Sequence, residues 1–74
     1  MKIEDSSHIS HAVYDPDERS LLVRFRNGKT YAYQNFEQAK ANEFFDAKSK
    51  GKFLHERVKP LHRVVSVDRD ISGE

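Results

Sequence analysis

Cysteine is absent from the 74 residues, which excludes disulfides, thiolate catalysis and cysteine-containing zinc sites and suits a reducing compartment. Long apolar runs are absent too. Hydrophobic residues make up 36% of the chain, and none of their runs approaches the ~20 residues of a membrane span. The opening Met1-Lys2-Ile3-Glu4-Asp5 lacks the apolar stretch of a signal peptide. No membrane partner is expected, and a cytoplasmic location is the default. The three glycines, Gly28, Gly51 and Gly73, are too far apart to form a phosphate-cradling loop. Length itself is scarce: a domain of this size buries only ~60% of its unfolded surface and has stability on the order of 5 kcal/mol, with no room for an elaborate active-site cavity.

Catalytic and metal groupings are equally thin. His8 and His11 point to opposite faces of an extended segment, and Pro60 separates His55 from His62. Ser49 is better explained as a helix cap than as a nucleophile, because no base accompanies it. The expectation is a non-enzymatic chain with no catalytic residue, metal or cofactor.

What the chain does hold is a pair of alternating runs meeting at Asn27-Gly28, within Leu21 to Tyr33. This is a strong hairpin signal, and two registers compete for it. A two-residue Asn27-Gly28 turn sets Arg24 opposite Tyr31 and Leu22 opposite Tyr33, giving a basic and aromatic surface. A type I turn followed by a left-handed Gly28 sets Val23 opposite Tyr31 and Leu21 opposite Tyr33. The second is favoured, since it gathers Leu21, Val23, Phe25, Tyr31 and Tyr33 on one face at roughly 1.5–3 kcal/mol each. Tyr31 and Tyr33 are then core residues first.

The fold class expected is α+β: a three-stranded antiparallel β-meander followed by two short helices packed on one face. Ile9 to Tyr14 reads as the first strand, closed by a type I turn at Asp15-Pro16-Asp17-Glu18. Asn35 reads as an N-cap with Gln38 completing a capping box, opening a helix from Phe36 to about Lys48 with Phe36, Ala41, Phe44 and Ala47 turned inward. Ser49 caps a second helix, Gly51 permits a sharp reorientation, and Pro60 ends it. Arg63 to Val67 can add a short C-terminal strand. Residues 1–7 are expected to be flexible, 8–67 to form the single domain, and 68–74 to be a disordered acidic tail.

In that order of elements, Leu21-x-Val23-x-Phe25-x-x-Gly28, Tyr31-Ala32-Tyr33 and Ala47-x-Ser49-Lys50-Gly51-Lys52-Phe53 resemble the KTSC domain, named for the C-terminal end of some lysyl-tRNA synthetases. That family also occurs as free-standing small bacterial proteins and has a Tyr-x-Tyr motif at its centre. The resemblance covers roughly Ser6 to Arg63. It departs at Phe36-Glu37, where many members carry Val-Pro, and at Ala32, where others have a polar or charged residue. The company of tRNA synthetases implies an association with RNA.

Charge points the same way. Met1 to Glu18 has one base against five acids, net −4, whereas Arg19 to Arg63 has eleven bases against four acids, net +7. Lys48, Lys50, Lys52, Arg57, Lys59 and Arg63 surround the second helix, and Lys50-Gly51-Lys52 at its start is either an anion site or a Ser-capped, Gly-hinged helix junction whose lysines keep a small protein soluble. The sheet face away from the helices would carry Leu22, Arg24, Thr30 and Ala32, with Tyr14 able to join them. The function expected is a small binding module taking RNA or single-stranded nucleic acid weakly through Lys48, Lys50, Lys52, Arg57, Lys59 and Arg24. The alternative is a protein-protein interaction module whose exposed strand edge accepts a protein partner's strand. The oligomeric state is left open.

Overall fold

Parity decides the sheet. The computed structural model describes residues 1–74, and its strands β1 (Ile9–Asp15), β2 (Ser20–Phe25) and β3 (Thr30–Tyr33) form the meander. A fourth strand, β4 (Val64–Val67), extends the antiparallel sheet to the order β1-β2-β3-β4. Leu21 faces Tyr33 and Val23 faces Tyr31. Phe25 N–H donates to the Lys29 carbonyl at 2.9 Å, and Gly28 adopts φ 89°. This is the bulged register, in which only a residue tolerating left-handed backbone fits at position 28.

Helix α1 (Gln38–Asp46) starts later than the expected capping box requires. Asn35 is not its cap: it takes φ 55° and turns the chain from β3 over the sheet, so that Phe36 N–H reaches the Arg19 carbonyl at 2.8 Å. Glu37 holds the N-cap position without a side-chain cap bond, and its carboxylate lies 3.6 Å from Arg19. Helix α2 (Lys50–Phe53) is capped as expected, the Ser49 hydroxyl accepting Lys52 N–H at 3.2 Å. It widens into a π-helical turn, Leu54–Val58, with Lys59 N–H donating to the Leu54 carbonyl at 2.8 Å. Gly51 is no hinge. Its φ is not positive, and an added Cβ would meet only Ser6 Oγ at 3.7 Å, an ordinary contact.

Helices and sheet enclose the main core, centred on fully buried Phe36, Phe44, Leu21, Val23 and Val58. Phe44 packs edge-on to Phe53 with centroids 5.9 Å apart. Tyr14 belongs to this side rather than the far face, its hydroxyl donating to the Phe36 carbonyl at 2.6 Å.

Both ends of the chain depart from expectation. Residues 1–7, expected to be flexible, run beside β1: Ile3 is buried, its N–H donates to the Ser10 carbonyl at 2.8 Å, and Lys2 bridges His11. Residues 68–74, expected to be disordered, fold across the far face of the sheet. Ile71 is fully buried there against Leu22 and Ala32, with Val13 and Val67 around it. Arg69 fastens this strap, donating to Asp15 at 3.1 Å and pairing with Glu74. The Glu18 backbone N–H, with help from Arg69, holds the Asp15 carboxyl below its ordinary range.

Candidate nucleic-acid interface

The basic residues singled out from the sequence do not converge as one patch. Lys50 turns inward: its side chain is only 11% exposed, with Nζ 3.0 Å from the Ala47 carbonyl and 3.7 Å from Asp5. It ties the amino-terminal segment to α2. The anion site expected at Lys50-Gly51-Lys52 is therefore occupied by the chain's own Asp5 and Ser49. Arg57 is committed as well, lying 4.8 Å over the Phe53 ring and 3.2 Å from Glu43. Arg24 stands on the strap side, donating to the Ser10 hydroxyl at 3.3 Å. The open base-stacking face expected around it is closed, because Leu22, Thr30 and Ala32 are buried.

Lys48, Lys52 and Lys59 are exposed, and none of them is among the chain's ion pairs. Lys59 is the informative one. Carried past the end of the π-helical turn, its ammonium sits 5.9 Å above the Phe25 ring. Phe25, at the last position of β2, meets Tyr31 edge-on with centroids 5.7 Å apart and planes at 67°. Both rings are half-buried.

Phe25 is a ridge between shallow depressions. One, of about 370 Å³, has Tyr31, Tyr33, Lys59 and Val64 around it. A second, of about 440 Å³, lies between His8, Ile9, Gly51, Leu54, His55 and Lys59. A third, of about 310 Å³, runs over Ser7, His8, Arg26, Asn27 and Tyr31. The result is a half-exposed aromatic pair flanked by one free ammonium, one guanidinium and two imidazoles. Arg26 is partly engaged, donating to the Ser6 carbonyl at 3.0 Å. Such a surface can stack a planar base and neutralise a phosphate beside it. The hollow of about 430 Å³ on the opposite side sets Arg24, Lys29 and Arg69 against Asp68 and Asp70, so its charges largely offset one another.

Sequence reasoning missed Phe25, Arg26, His8 and His55 as a group. Strand alternation placed Phe25 on the apolar face, and only its position at the strand's end, where the helices no longer cover it, leaves it half-open. No group of three or more His, Asp or Glu side chains that could hold a metal ion forms. His62 is structural: it stacks on Phe36 at 4.6 Å between the Gln34 carbonyl and Lys40 Nζ, each 2.8 Å from a ring nitrogen. A carbonyl can only accept and an ammonium can only donate, so the proton is on Nδ1. Burial pushes the Lys40 ammonium below its ordinary value, and Arg57 adds to the effect.

The model of the KTSC domain family matches residues 5–61. A curated protein of Tsukamurella paurometabola is 37% identical over 67 residues, spanning 90% of this chain and 100% of the relative. The crystal structure of a KTSC domain protein from Yersinia pestis is similar with a TM-score of 0.84 at 31% identity, covering 90% of this chain and 93% of that one. No helix is long and apolar enough to cross a membrane.

Proposed function

The chain belongs to the KTSC domain family, and from that premise we propose that it is a non-enzymatic binding module for RNA or other single-stranded nucleic acid, held weakly and with little sequence preference. The observation that carries the reading is the Phe25-Tyr31 pair under the Lys59 ammonium. Aromatic faces accept any base, and a free cation beside them meets the phosphate. Lys48 and Lys52, exposed before and within α2 and in none of the ion pairs, are available as further phosphate contacts. Lys50, by contrast, serves the fold through Asp5.

Titration of labelled single-stranded RNA at several salt concentrations tests this. Affinity should fall steeply with salt, with a log–log slope of about −0.7 for each phosphate neutralised. Replacing Lys52 and Lys59 together by Gln should weaken all sequences alike and shallow that slope by about one to two. Absence of binding at low salt, or a double variant that binds like the wild type, would sink the proposal. The protein-protein interaction module would then be the better account, favoured by the bare edge of β4.

A further inference from the structure

One edge of the sheet is covered by the chain itself. Met1 to Ile3 lie along β1, where Ala12 N–H donates to the Met1 carbonyl at 2.9 Å. The other edge, β4, has no such cover. The large hydrophobics left exposed are Met1, Leu61, Val64 and Val65, so three of the four stand on β4 or just before it. Val64-Val65-Ser66-Val67 carries no proline, glycine or charge, the devices with which sheets blunt an edge.

The free backbone groups can be assigned. Gln34 N–H donates to the Arg63 carbonyl at 2.8 Å, one step beyond the Tyr33–Val64 pair. Alternation then turns the peptide groups of Arg63, Val65 and Val67 toward β3 and those of Val64 and Ser66 outward to solvent.

We propose that β4 is a homodimerisation edge, pairing antiparallel with β4 of a second copy about a two-fold axis that passes between Val65 and its counterpart, perpendicular to the sheet. In a shared sheet, opposed residues point to the same face, and outward peptide groups must meet outward ones. Both conditions hold when Val64 faces Ser66 of the partner subunit and Val65 faces its own counterpart. The open donors and acceptors of Val64 and Ser66 are then satisfied, and valine meets valine on the axis. Of the two neighbouring allowed registers, one sets Val64 against Asp68, an apolar side chain against a charge, and the other moves Val65 off the axis to face Arg63 of the partner subunit. The strand sense follows from charge as well. Antiparallel pairing brings Arg63, before each strand, near Asp68, after the other, while parallel pairing sets like beside like. Such an interface is isologous and closes at two copies. The axis also places both Lys59-Val64 depressions on one face, although dimerisation itself requires no nucleic acid.

The chain has no native thiol, so single cysteines report the register. Opposed residues on the axis are a narrow pair with Cα atoms about 4.5 Å apart, within the range a disulfide spans, whereas Val64 and its counterpart are more than about 7 Å apart. Val65→Cys should cross-link to a covalent dimer under mild oxidation and Val64→Cys should not. The wild type should sediment as a concentration-dependent monomer–dimer equilibrium. Ser66→Pro removes an outward N–H that the monomer does not use. It should keep the fold by circular dichroism and sediment as a monomer over the same concentration series. Val65→Lys, which sets two ammonium groups together on the axis, should do the same. A wild type that is monomeric throughout, or Val64→Cys cross-linking as readily as Val65→Cys, overturns the proposal.

Discussion

Replacing Tyr33 by alanine should lower the urea midpoint by the equivalent of about 3–5 kcal/mol, most of the ~5 kcal/mol expected of a domain this small. The ring is 3% exposed and lies between Leu21 on one neighbouring strand and Val64 on the other. Burial raises the Tyr33 phenol pKa above its ordinary value, and the adjacent Tyr31 adds to the shift. Tyr31→Ala should cost less, about 1–2 kcal/mol, because its ring is half-buried and its main partner is the edge of Phe25. The two tyrosines of the Tyr-x-Tyr motif thus divide the work: Tyr33 serves the core, and Tyr31 serves both the core and the exposed ridge. Equal midpoints for wild type and Tyr33→Ala would show that the bulged register is wrong.

Ile71→Asp should destabilise the chain by about 2–4 kcal/mol, although it falls among seven residues whose composition suggests no structure. Ile71 is fully buried and, with Leu22 and Ala32, makes up the second cluster of buried apolar side chains on the far face of the sheet. A carboxylate placed there has no partner inside and must either stay unpaired or pull the strap away, exposing Leu22 and Ala32. Asp68→Asn is the matched control, since Asp68 is exposed and makes no ion pair with Arg69, whose partners are Asp15 and Glu74. Denaturant melts of both variants decide the matter: if Ile71→Asp melts with the wild type, the strap contributes nothing to the folded state.

The hairpin was legible because period-two alternation over thirteen residues leaves only two registers, and burial of five apolar side chains chooses between them. The Ser49 cap was legible because it is local, donor and acceptor being three residues apart. Helix α1 was misread at its start for a related reason: Asn is favoured both at N-caps and in left-handed turns, and the fold uses Asn35 for the turn. The tail was misread because averaging over Asp68 to Glu74 hides its single anchor, Ile71. Which of the basic residues are free was not legible, because proximity in sequence does not fix proximity in space. Lys50 is claimed by Asp5, a residue forty-five positions earlier, and no periodicity records such a contact. The Phe25 ridge depends on where the helices stop covering the sheet, which is a property of packing.

The strap also orders events in time. The meander is closed by neighbouring strands, Val23 meeting Tyr31 after a short turn, whereas Arg69 reaches back 54 residues to Asp15. Loop-closure entropy grows with separation, so near contacts nucleate folding and distant ones follow. Ile71→Ala should therefore accelerate unfolding in stopped-flow experiments while leaving the folding rate almost unchanged, and a slowed folding arm would contradict this order. On that expectation the molecule is a fast-closing hairpin core with a late latch, and the strip beneath Ile71 should be the first part of its interior that water reaches.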